Sequence, residues 1–298
     1  MANDINWGQG VINNAIGWGQ GASSNSISWG ISQKDSYSGE TEIYGIRTDA
    51  DALAFYSKVT TAGGTLTATE QTAINQLVVD LKAKGLWASM KAIYPMVGSS
   101  AASCAQNLVS SSFTATFYGG WTFTSSGALP NGTNAYMDTF LVPNSTLNVN
   151  STHLSLYLNT NNVVVSGDPI DIGGYNSGTQ ALTLLQSNTI LNSRNLGSFI
   201  SYTQINRLGF GITSKISSTL TTLYKNGTSV STGNSGGTLP IVKVYLGTLA
   251  LGDNTPYSAG YTNNKIAFSS IGLGLTNTQA SDFYTAVQTF NTTLSRQV

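Results

Sequence analysis

One cysteine and one histidine in 298 residues remove most covalent and metal chemistry at the outset. Cys104 has no partner for an internal disulfide and cannot build a thiolate cluster. Its neighbours Ser103 and Ala105 supply no activating base, so it reads as a small buried hydrophobe. Any Ser-His-Asp triad or histidine metal site would have to use His153, and alternation beside Leu154 puts that residue on the outward side of a strand, as a surface or interface imidazole. Carboxylates are equally thin. No glutamate follows Glu70, and Asp138, Asp168, Asp171, Asp253 and Asp282 are the only aspartates after Asp80. A glycosidase needs two carboxyl groups about 5 to 10 Å apart across a cleft, which this scatter does not suggest. No catalytic residue is assigned, no enzyme activity is expected and no cofactor is implied.

Charge is scarce altogether. Only 9% of residues are charged, with 13 basic and 13 acidic side chains, against about 25% in an ordinary domain. So few cations cannot form a phosphate-binding surface, which excludes nucleic acid as a partner. Apolar runs fall well short of the roughly 18 residues that cross a bilayer, so membrane insertion is not expected. The opening Met1-Ala2-Asn3-Asp4 shows neither the basic start nor the apolar stretch of a secretory signal, and a reducing compartment is expected. Serine, threonine, asparagine and glycine dominate the surface instead.

What is there begins with a repeat. Trp7, Trp18 and Trp29 stand 11 residues apart, each followed by glycine and preceded at two residues by Ile5, Ile16 or Ile27. An 11-residue period would suit a helix face, but Gly, Asn and Ser fill the units, and the Ile-x-Trp spacing aligns both side chains on a strand and not on a helix. Each unit therefore reads as a short extended piece closed by a glycine turn. Two full units and a fragment cannot bury their own Ile and Trp, since stacked repeats need about three copies and caps. Asp4 is the only charged side chain up to Gln33. Residues 1–36 thus read as a docking arm that another apolar surface must cover; the alternative is a flexible leader.

Residues 37–98 form a linker and helical segment. Thr48, Asp49 and Asp51 open a helix that Gly63-Gly64 stops, and Thr67 with Glu70 makes a capping box for a second, whose Ile74, Leu77, Val78 and Leu81 share a face. Residues 99–298 read as short strands and turns closed by a helix. Leu154, Leu156 and Leu158 alternate with Ser155 and Tyr157, and Asn226-Gly227 suits a type I′ hairpin turn. Thr276 and Gln279 cap a last helix with the stripe Phe283, Val287, Phe290 and Leu294. The fold class is mainly β: an antiparallel jelly-roll sandwich, preceded by the arm and helices and closed by the C-terminal helix.

The stretch from Ile266 through Ser270, Gly272, Leu273 and Gly274 to Thr276, followed by a helix bearing Phe283, Tyr284 and Phe290, is similar to the end of concanavalin A-like (laminin G-like) jelly-roll domains in tailed-phage virion proteins. The run from Ile74 to Lys82, with Trp87, Met90 to Pro95, Gly120-Trp121 and Pro130 to Thr133, resembles a phage module that precedes such a sandwich. The Trp-Gly arm resembles the opening of structural proteins from crAss-like phages. This resemblance implies a head or tail fibre or capsid decoration protein, located in the virion and assembled in the host cytoplasm. Its implied partners are phage capsid or tail proteins and itself as a homo-oligomer, trimer or dimer. Docking would use Trp7, Trp18, Trp29, Ile5, Ile16 and Ile27. A polysaccharide-cleaving enzyme on the same fold, and a free carbohydrate-binding module, are the rival readings.

Sugar rings are held by flat aromatic faces and planar amides. Tyr175 with Asn176, Tyr202 with Gln204, and Tyr257 or Tyr261 with Asn263 and Asn264 lie in loop-like surroundings suited to neutral glycans of a host surface. Asp168 and Asp171 are the densest oxygen pair. Calcium wants six to eight oxygens, so an Asx-type turn precedes a calcium loop as the reading of Asp168-Pro169-Ile170-Asp171.

Overall fold

The computed structural model describes residues 48–162, 169–187 and 189–298; the Trp-Gly arm and Asp168 lie outside them. Two helices come first, α1 (Ala50–Thr61) and α2 (Ala68–Ala83). Asp49 caps α1 by accepting from the Asp51 amide at 2.9 Å. Thr67 and Glu70 close the expected capping box on α2, and the second carboxylate oxygen of Glu70 accepts from the Gly98 amide at 2.7 Å. Strand β1 (Met90–Tyr94) and the short α3 (Ala101–Cys104) follow, then β2 (Thr116–Tyr118), β3 (Trp121–Thr124), β4 (Gly127–Pro130), β5 (Tyr136–Asp138), the short α4 (Pro143–Thr146) and β6 (Thr152–Leu158). Next come β7 (Ile172–Ser177), β8 (Gln180–Gln186), β9 (Ile190–Asn195), β10 (Phe199–Thr203), β11 (Gly209–Lys215), β12 (Leu220–Lys225) and β13 (Thr228–Asn234). The chain ends with β14 (Tyr245–Leu246), β15 (Leu249–Ala250), β16 (Ile266–Gly272) and α5 (Asn277–Thr293).

Sixteen strands make two eight-stranded sheets among the described residues, a mainly β sandwich as the alternating patterns require. The first sheet runs β13-β12-β11-β6-β16-β4-β3 with β1 beside β16; the second runs β10-β9-β8-β7-β14-β5-β2 with β15 beside β7. All pairings are antiparallel except β15 on β7. Asn226 and Gly227 both take positive φ, 49° and 76°, as a type I′ turn between β12 and β13 demands.

The sandwich core follows from the period-2 pattern. Leu154, Leu156 and Leu158 of β6 meet Leu182 and Leu184 of β8 and Leu191 of β9 between the sheets. The other face of β6 is buried too. Tyr157, Phe210, Phe268 and Tyr224 share a second core with Phe55 of α1, Ile74 and Leu77 of α2, and Phe283, Val287 and Phe290 of α5. Helices, first sheet and second sheet are therefore three layers, and β1 draws the stretch after residue 89 into the first sheet by pairing Tyr94 with Ser269. Because α1, α2 and α5 cover the first sheet, its central strands β6, β11 and β16 are buried along their whole length.

This layer corrects the placement of His153. Expected outward, it is completely buried, with its ring edge-on to Phe283 at 6.1 Å. Alternation identified the face correctly, but that face meets α5 and not solvent. A second feature without a sequence signal is Arg296, which folds back from the end of α5. Its buried guanidinium donates to Asn291 Oδ1, Met96 O, Pro95 O and Ala267 O at 2.7–2.8 Å and lies over Phe290 at 5.0 Å, tying the terminal helix to the loop after β1.

Candidate functional site: a groove on the second sheet

Among the described residues no long helix lies on the outer face of the second sheet, so alternation there sends side chains to that face. On β8, Leu182 and Leu184 enter the sandwich while Thr183 and Leu185 point out; on β9, Leu191 points in while Ile190, Asn192 and Arg194 point out. Together with the segments around Pro169 and Leu251, they shape a groove of about 580 Å³, within the usual size of small-molecule sites. Tyr175 of β7 and Tyr257 stand at its walls with Phe199 of β10. The Tyr257 loop is fixed by its own backbone, whose amide donates to Leu249 O and whose carbonyl accepts from Thr248 Oγ1, both at 2.9 Å.

Arg194 and Phe199 oppose each other across the β9–β10 pair, and the guanidinium carbon sits 3.8 Å from the ring centre. No carboxylate stands among the described lining residues, and Arg194 is the only charged one. The groove thus combines aromatic rings, aliphatic patches, the hydroxyls of Thr183 and Ser187, the Asn192 amide and one cation. That set can hold a polar ring compound reversibly; it supplies no acid and base pair.

Of the residues expected to contact glycan, Tyr175 and Tyr257 line this groove. Asn176, Tyr202 and Tyr261 do not: Asn176 accepts from the Ile241 amide at 2.9 Å, Tyr202 lies further along β10, and Tyr261 is half-buried beyond the groove lining. Sequence reasoning missed Phe199, Asn192 and Arg194. Their signal was the alternation Ile190, Asn192, Arg194 against Leu191, Ser193, Asn195. Another aromatic row, Tyr118, Tyr136 and Tyr245, crosses the same sheet, but its rings lie against one another at 4.8 and 4.9 Å, which occupies their faces.

Asp171 is fully buried and faces protein cations. Its Oδ2 accepts from the Gln186 amide at 2.6 Å, and Lys225 Nζ donates to Gln186 Oε1 at 2.6 Å. Burial pushes the Asp171 carboxyl up to about 6, against the pull of Gln186 and Arg207, and pushes Lys225 down to about 7. Arg207 and Lys225 act on this carboxyl through their charge, so the cations near it are the protein's own. Among the described residues no three His, Cys, Asp or Glu converge as a metal site.

The single imidazole is equally committed. His153 Nδ1 meets Leu273 O at 2.6 Å, so it carries the proton, and Nε2 accepts from Ser270 Oγ at 2.9 Å. Ser155 Oγ continues the chain at 2.6 Å from Ser270. Burial lowers the imidazole to about 4. This serine–histidine contact is sealed beneath α5, where no substrate reaches it. Gly233, Ser235 and Gly237 repeat the spacing of a nucleophile elbow, yet Ser235 Oγ donates to Asn195 O at 2.7 Å and is buried. Cys104 is buried as expected, its thiol raised to about 12 by burial.

The class defined by fold and site is a β-sandwich backed by helices on its first sheet, with a groove on its second sheet. No family model matches the chain and no curated protein matches it. Among solved structures it is similar to domain 4 of AbnA, an extracellular arabinanase of Geobacillus stearothermophilus solved with arabinotriose (14% identity, TM-score 0.45, 65% of this chain and 98% of that one). It is also similar to the binding domain of botulinum neurotoxin serotype D (8%, 0.43, 67% and 52%) and to that of Paraclostridial Mosquitocidal Protein 1 (10%, 0.41, 66% and 52%). At these scores the likeness carries nothing about this chain's ligand.

Proposed function

We propose that the protein is a non-enzymatic virion subunit of a tailed phage, a head or tail fibre or a decoration protein, that grips host surface glycans through the groove on its second sheet. The groove supports the glycan half of this reading: it sets Tyr175, Phe199 and Tyr257 beside the hydroxyls of Thr183 and Ser187 and the Asn192 amide, with no carboxylate among its described lining. Aromatic and aliphatic walls bury the faces of a sugar ring, and the few polar groups fix its hydroxyls. Assembly is assigned to the arm, where Trp7, Trp18 and Trp29 with Ile5, Ile16 and Ile27 offer apolar anchors to capsid or tail subunits. Single grooves bind weakly, and a homo-oligomer displayed in many copies gains its grip by avidity.

A glycan array probed with the full chain, followed by product analysis on every hit, tests the binding half. Binding that Tyr257→Ala and Phe199→Ala abolish, without released oligosaccharide, is expected. Released oligosaccharide contradicts the non-enzymatic reading, and no glycan bound contradicts the glycan reading.

A further inference from the structure

We propose that the groove is built for an acidic sugar, with Arg194 receiving the carboxylate of a uronic or sialic acid residue. The inference rests on the glycan reading of the same groove and narrows it from the neutral ligands that the tyrosines and asparagines alone suggest.

The charge balance of the groove carries the argument. Among its described lining residues Arg194 is the sole ionic side chain, and among the described residues no carboxylate pairs with it. The Arg194 backbone amide donates to Thr183 Oγ1 at 3.3 Å, but its side-chain Nε is buried without any hydrogen-bond partner. Buried N–H groups are ordinarily paired, so the protein alone leaves this cation incompletely satisfied, and with Nε shielded a ligand meets it at its Nη groups. Phe199 fixes its orientation. With the guanidinium 3.8 Å from the ring centre, the ring occupies one face of the cation and leaves its N–H groups for partners in the guanidinium plane. A carboxylate meets such a fork through two parallel hydrogen bonds, which a neutral hydroxyl cannot reproduce. Tyr175, Tyr257, Leu249 and Leu251 then remain for the ring that bears the acid. The same cation fits a uronic acid and a sialic acid, so the test carries both.

Full-length protein is titrated with trigalacturonate against its methyl ester, and with sialyllactose against lactose, while NMR follows the Arg194 side-chain Nε–H and the Leu185 and Leu249 methyl groups. At least one acidic member is expected to bind about tenfold or more tightly than its neutral counterpart, with weakening in high salt. Arg194→Gln is expected to remove that preference, and Arg194→Lys to retain only part of it because a point charge replaces the fork. Equal binding of acidic and neutral partners, or an acidic preference that survives Arg194→Gln, overturns the proposal. Neutral sugar bound in the groove and indifferent to Arg194→Gln overturns it while leaving the glycan reading intact. A groove whose methyl resonances respond to none of the four probes, nor to any glycan on the array, overturns both.

Discussion

Lowering the pH should weaken this fold at His153, by an amount that its surroundings set. The ring is completely buried between β6 and α5, donating from Nδ1 to Leu273 O and accepting at Nε2 from Ser270. Nothing there welcomes a second proton, and burial lowers the imidazole from 6.5 to about 4. The folded state therefore favours the neutral ring. Its stabilisation is complete above the unfolded value of 6.5 and is lost as pH falls towards 4. In full this amounts to about 3 kcal/mol, of which about 2 kcal/mol is lost by about pH 5. Asp171 works in the opposite direction. Its carboxyl is raised from 3.8 to about 6, so the folded state takes up its proton first and gains about 1 kcal/mol over the same interval. The wild-type curve alone thus shows only a shallow slope. Comparison with His153→Asn isolates the imidazole, since the asparagine amide still donates to Leu273 O but does not titrate. Urea unfolding of both proteins at about pH 7 and about pH 5 should show the variant less stable at the higher pH, with the gap narrowing by about 2 kcal/mol at the lower one. As the chain has one histidine, NMR reads the same site directly. An unchanged gap, or an imidazole titrating near its ordinary value, refutes the reasoning.

Two further outcomes follow from the packing and one from the sequence of the arm. Phe290→Ala removes a buried ring between Phe268 and Arg296 and should cost about 3 to 5 kcal/mol in chemical denaturation; a loss under about 1 kcal/mol would show that α5 is not integral to the core. Arg296→Met leaves Asn291 Oδ1 and the carbonyls of Pro95, Met96 and Ala267 without their donor and should cost about 3 kcal/mol or more, read as a fall in Tm. Trp18→Ala should reduce incorporation into particles while the melt of the sandwich stays unchanged; normal incorporation of the protein with all three of Trp7, Trp18 and Trp29 changed to alanine contradicts the docking reading.

Local chemistry made much of this fold legible. The Thr67–Glu70 and Thr276–Gln279 capping boxes, the Asn226-Gly227 turn and the leucine alternation of β6 all concern residues a few positions apart, where sequence spacing is spatial spacing. What escaped depends on long-range packing. The burial of His153 is invisible until α5 is known to lie across β6, and Arg296 meets Met96 and Pro95 about 200 residues earlier in the chain. The groove was half legible. Tyr175 and Tyr257 stood out as aromatics near Gly and Asn, but nothing local separated them from Tyr202 and Tyr261. Arg194 and Phe199 become neighbours only through the register of β9 with β10.

The most direct test of the central claim is chemical-shift mapping of the full chain titrated with the strongest glycan from the array. The account predicts that the shifts concentrate on Leu185, Ile190, Leu249, Leu251, Tyr175 and Tyr257 of the groove and that Tyr257→Ala abolishes them. Shifts centred elsewhere on the surface, or saturable binding that Tyr257→Ala leaves intact, would contradict it.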